Sequence, residues 1–190
     1  MGPLMIIGSV PLYNMMAVVV LSVFRPGQQG LDKTVVKRTM TGIVTNPIIL
    51  GIVAGLLWSA LGLPLSGIPG KTIGNIASMA TPLGLMAMGA SFDIQKAVQK
   101  GRPAIVASVM KLVGFCVIFL PVAIAFGFRE EELVAILVML GSATTVSCYV
   151  MARNMGHEGV LTSSTVMLTT LFSAFTLTGW LFLLRSAGLI

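Results

Sequence analysis

The chain has 190 residues, 56% of them hydrophobic and 9% charged, with a mean hydropathy of +0.98. Soluble domains carry about a quarter charged residues, so this balance excludes a water-soluble enzyme or binding module and predicts a polytopic membrane protein. The net charge of +6 sits in short connections between apolar runs, which points to membrane lipid and not to nucleic acid as the partner.

Apolar runs of about 18 residues or more predict an all-α fold with six transmembrane helices, near 4–24, 47–64, 74–92, 104–127, 133–152 and 160–184. The connections are too short for a soluble domain, so 1–190 reads as a single membrane domain. Span one lacks a basic leader, and the PGQQG after it does not resemble a cleavage site, so it reads as a true span. Asn14 inside it is a candidate solute contact, with a helix-packing hydrogen bond as the alternative.

After span one, residues 31–44 place Leu31, Val35, Val36, Met40, Ile43 and Val44 on one helical face and Lys33, Lys37, Arg38 and Thr41 on the other. This predicts an interfacial amphipathic helix on an anionic leaflet, or a docking site for a partner. Asn46-Pro47 ends it, because the residue before proline is held out of the helical region. In span two Gly51 and Gly55, four apart, permit close helix approach. Span three carries Thr81-Pro82 near its centre, where a missing N–H frees a carbonyl and bends the helix.

Lys111, in span four, is the one formal charge within a predicted span. Either its stem snorkels to the interface, or its ammonium faces a polar cavity and attracts an anionic solute. Span five turns polar at mid-depth, in Gly141-Ser142-Ala143-Thr144-Thr145-Val146-Ser147. Residues of this kind have weaker helix propensity than the flanking Leu and Met, so an interruption is expected near Ala143. Ser142, Thr144, Thr145 and Ser147 are the leading substrate-binding candidates, since secondary transporters expose backbone and hydroxyl groups at such breaks. A hydroxyl-rich packing face is the alternative. In span six Thr162, Thr165, Thr169, Ser173 and Thr176 form a stripe ending near Trp180, expected to pack on span five with hydroxyls bonding back to their own helix.

Eight basic residues lie in the connections after spans one, three and five (Arg25, Lys33, Lys37, Arg38, Lys96, Lys100, Arg102 and Arg153), against Lys71, Arg129 and Arg185 on the other side. By the positive-inside rule those connections are cytoplasmic and both termini face outward. Cys116 and Cys148 lie inside spans and say little about redox compartment. His157 stands beside Glu158 with no second ligand at metal-binding spacing, so no metal site is expected. Paired carboxylates, a nucleophile with its base and any cofactor motif are all missing from the sequence, so the chain is not read as an enzyme and no cofactor is expected.

Several ordered motifs then carry a resemblance: NPIILG at 46–51, TPLGLMAMGASFD at 81–93, and ATTVSCYVMARNMG at 143–156 followed by a Ser/Thr-rich last helix ending in Trp180. Together they resemble the carboxy-terminal part of the auxin efflux carrier family, which includes malate and malonate permeases. The resemblance implies a permease for small organic anions in the cytoplasmic (plasma or bacterial inner) membrane, with ten helices in two inverted five-helix repeats and a broken crossover helix in each. Residues 1–24 would be the last helix of the first repeat, 25–46 a cytoplasmic connection and 47–190 the complete second repeat, with span five as its crossover. Spans two and three would be scaffold, and spans four, five, six and one the moving part. Where the family usually has proline in the break, this chain has Ala143-Thr144-Thr145, which predicts a milder or altered break.

The resemblance also implies that the amino-terminal half, or a second copy of the chain, supplies the other crossing. The 190 residues alone are therefore expected to insert without transporting. The competing reading is a truncated or degenerate membrane protein with a structural or interaction role.

Overall fold

A computed structural model describes residues 2–24, 40–42, 44–62, 64–99 and 101–190. The helices are α1 (Gly2–Val23), α2 (Pro47–Ala60), α3 (Gly67–Ala90), α4 (Ile94–Gln99), α5 (Gly101–Val109), α6 (Phe115–Ala125), α7 (Glu130–Gly141), α8 (Val146–Asn154) and α9 (Val160–Ser186). A π-helical turn, Met110–Gly114, joins α5 to α6 so that Gly101–Ala125 is continuous. No strand occurs among the described residues. The amphipathic helix expected over 31–44 lies outside them, apart from 40–42 and Val44.

By length and composition three helices suffice to cross a membrane: Gly67–Ala90, Gly101–Ala125 and Val160–Ser186. The bent pair Glu130–Gly141 and Val146–Asn154 makes a fourth, Pro47–Ala60 is a shorter apolar helix, and Ser9–Val23 is an apolar stretch within the longer α1. The six spans expected from hydropathy are thus met in part. Helix α2 has 14 residues, about 21 Å against a hydrocarbon core of about 30 Å. It stops because Gly62 takes a left-handed φ of 62° and Pro64 follows, a pairing that ends helices. Its start is as the sequence predicts: Asn46 is extended, its side chain accepts the Ile48 N–H at 2.9 Å, and Pro47 opens the first turn.

The chain divides into two compact units, one of residues 3–86 with 151–157 and the other of residues 87–150 with 158–190 and the first two residues. In the first, α1 buries Asn14 and Val18, and His157 Nε2 lies 2.9 Å from the Leu21 carbonyl near the end of α1. The unit holds α1 together with α2.

In the second unit α6 packs on α7, and α9 packs along α5, the π turn and α7. Its core is Cys116, Leu120, Ala123, Leu133, Leu137 and Leu184, with Leu177 and Trp180 against it. Lipid is as apolar as leucine, so this core is held by close packing and not by exclusion of water. The same reason lets Phe126, Phe175 and Phe182 stay more than 70% exposed. At the end of α6 the Arg129 guanidinium donates to the Ile124 and Phe128 carbonyls, both at 2.9 Å, and the Glu130 N–H donates to the Leu189 carbonyl at 3.0 Å. Glu130, Glu131 and Glu132 then occupy the first turn of α7, where the helix dipole favours carboxylates.

Candidate functional site at the break in span five

Helix α7 ends at Gly141, Ser142 is extended (φ −69°, ψ 159°), 143–145 are not helical, and α8 resumes at Val146 with its axis turned by 41°. The interruption expected near Ala143 is therefore present, and it forms without proline. The last α7 bond is Ser142 N–H to the Val138 carbonyl at 3.0 Å, and the first turn of α8 is closed by Cys148 N–H to the Thr145 carbonyl at 3.1 Å. Thr145 Oγ1 lies 2.8 Å from Ser147 Oγ and 3.6 Å from Cys148 Sγ, tying the start of α8 together.

A break at membrane depth leaves backbone groups that hydrocarbon cannot satisfy, at a cost of several kcal/mol each. Two side chains from neighbouring helices take them. Lys111 Nζ donates to the Leu140 carbonyl at 3.0 Å and lies 3.5 Å from the Met139 carbonyl, at the negative end of α7. Thr169 Oγ1 accepts the Thr144 N–H at 3.1 Å while donating to the Thr165 carbonyl at 2.7 Å. Lys111 thus does not stand free: its ammonium caps a half-helix.

The π turn that carries Lys111 is closed by Phe115 N–H to the Met110 carbonyl, a step of five residues. The Trp180 indole N–H donates to the Leu112 carbonyl in this turn, at 3.3 Å. Helix α7 approaches closely here because residue 141 has no side chain. A Cβ on Gly141 would sit 3.2 Å from both Cys116 Sγ and Leu177 Cδ2.

Ser142, Thr144, Thr145, Ser147 and Lys111 are therefore brought to one place. Ser142, Thr144, Ser147 and Lys111 are half-buried and Thr145 is exposed. Asn14 belongs to the other unit, where it is buried and its amide donates to the Val10 carbonyl of its own helix at 2.8 Å. No Asp or Glu occurs between Ile94 and Arg129 or between Leu133 and His157. The break therefore combines one full positive charge, four hydroxyls and the positive end of α8, a set that accommodates an anion and repels a cation.

The hydroxyl stripe on α9 behaves as expected, Thr165 donating to Leu161, Ser173 to Thr170 and Thr176 to Phe172. What the stripe reading misses is that Thr169 also accepts a bond from the break. The π turn and the role of Trp180 have no sequence signal beyond a charge inside an apolar run. A groove of about 340 Å³ between α5 and α9 is lined by Ile105, Val109, Leu112, Leu168 and Phe172. The two hydroxyls in its lining, Ser108 and Thr176, both donate to their own helices, so the groove presents nothing for a charged solute.

A family model described as a membrane transport protein matches residues 14–181. No curated protein and no solved structure matches the chain.

Proposed function

We propose that this chain, which belongs to the membrane transport protein family of auxin efflux carriers, moves a small organic anion through the break between α7 and α8. Membership makes it a membrane transporter. The anionic substrate is the reading that the chemistry of the break supports best. Ser142, Thr144, Thr145 and Ser147 supply hydroxyl and backbone donors to a carboxylate, and the positive end of α8 faces the same place. Lys111 adds a positive potential in a region of low dielectric. Asn14, engaged with its own helix, stays a third-rank candidate. The observation that carries the proposal is the coincidence of a mid-span break, a cation reaching it from the neighbouring span and no carboxylate between Leu133 and His157.

With this function go the finer features of the family architecture: six spans, the second of two inverted repeats, a place in the cytoplasmic membrane, and both termini outside. The test is equilibrium binding of labelled malonate and malate to the purified protein in lipid nanodiscs. Saturable binding displaced by other small carboxylates, and lost in Thr144→Leu/Thr145→Leu with folding intact, is the expected result. Binding that survives this double substitution would move the solute away from the break, and binding of neither anion would remove the anionic assignment.

A further inference from the structure

We infer that the carbonyl end of α7 is a monovalent-cation site which the chain fills with its own Lys111 ammonium. The carbonyls of Leu140 and Met139, 3.0 and 3.5 Å from Lys111 Nζ, belong to the last turn of a half-helix, where up to four carbonyls lack a partner and the macrodipole is negative. In broken-helix transporters such half-helix ends coordinate a free cation. Here an ammonium, a compact point charge with three donors, occupies that place on a tether.

Three features serve this placement. The π turn inserts one residue into the helix that carries Lys111, rotating α6 by about 100° relative to an uninterrupted ladder. The carbonyl of Leu112, inside that turn, is taken by the Trp180 indole. Gly141 lets the end of α7 come within reach. Lys111 is accordingly a positioning residue for the break: it acts on α7 and needs no contact with the solute. The inference deepens the transporter reading, but its test reads stability, so either can fail while the other stands.

The experiment compares thermal unfolding of the purified protein in nanodiscs in sodium, n-propylammonium and choline chloride at equal ionic strength. The wild-type midpoint is the same in all three salts. Lys111→Met, which keeps length and removes charge, lowers it in all three. Lys111→Ala lowers it in choline and recovers in propylammonium, which restores an N–H donor to the vacated end, whereas choline offers none. Trp180→Phe, which orphans the Leu112 carbonyl, lowers the midpoint in the same direction. Failure of Lys111→Met to fold, with Lys111→Arg folding, is the same result in extreme form. A wild-type midpoint raised by sodium over choline would show a free cation at this end and overturn the inference. So would a Lys111→Met protein as stable as wild type, or a Lys111→Ala protein indifferent to propylammonium.

Discussion

Thr169 shows how one side chain settles a break. Its hydroxyl accepts the Thr144 N–H and donates into its own helix; an amide left unmade in an apolar setting costs about 1–3 kcal/mol. Thr169→Val, which keeps the shape and removes the acceptor, is expected to lower stability by about that amount in thermal or denaturant unfolding, while Thr169→Ser keeps most of it. A loss in Thr169→Ser with none in Thr169→Val would mean that the methyl group, and not the hydroxyl, is what matters. At this scale the sequence was half legible. Lys111 is conspicuous as the charge inside a span, and Thr169 as part of a periodic stripe. Their partners are backbone groups more than twenty residues away, which periodicity cannot reveal.

At the scale of elements, the interruption of span five was legible from residue type alone. Replacing good helix formers by Ser and Thr costs only about 0.5 kcal/mol per residue, whereas a hydrogen bond from a charged group contributes about 1.5–3 kcal/mol. The break is therefore held open mainly by Lys111 and Thr169, which accounts for a 41° bend without the family's proline. Helix ends were less legible. Helix α3 begins at Gly67 and not near 74, and α2 ends at Ala60 and not at 64, because hydropathy does not register a left-handed glycine or a helix that runs past its apolar stretch. Close approach at Gly141 gives a second expectation. Gly141→Ala brings a Cβ to 3.2 Å from Cys116 Sγ and Leu177 Cδ2, which must each give by a few tenths of an ångström, so the gain of about 0.5–1 kcal/mol expected for alanine in a helix should be lost or reversed. The penalty should shrink when combined with Cys116→Ala, as a double-mutant cycle would show; strict additivity would place the clash elsewhere.

For the whole molecule, composition predicted an all-helical membrane protein and ordered motifs predicted the family, and both hold. The six-span count holds in part: three helices and one bent pair meet the length and hydropathy of a span, while α2 is shorter than a bilayer requires. Orientation is a prediction from charge: eight basic residues on one side against three on the other are expected to hold the connection after span one in the cytoplasm. In a background with Cys116 and Cys148 replaced, a cysteine at Gln28 should resist impermeant thiol reagents on intact cells while one at Ser66 reacts. The reverse pattern would invert the topology and put both termini inside.

The central claim, that a carboxylate binds at the break between α7 and α8, is tested most directly by protection of Cys148. This half-buried thiol lies 3.6 Å from Thr145 Oγ1 at the start of α8. With the buried Cys116 replaced by Ala, the alkylation rate of Cys148 is measured in nanodiscs with and without malonate. The account predicts that malonate slows the reaction in a saturable way, that the neutral diamide malonamide at equal concentration does not, and that Thr144→Leu/Thr145→Leu removes the protection. An alkylation rate unchanged by malonate, at concentrations shown to bind, would contradict it.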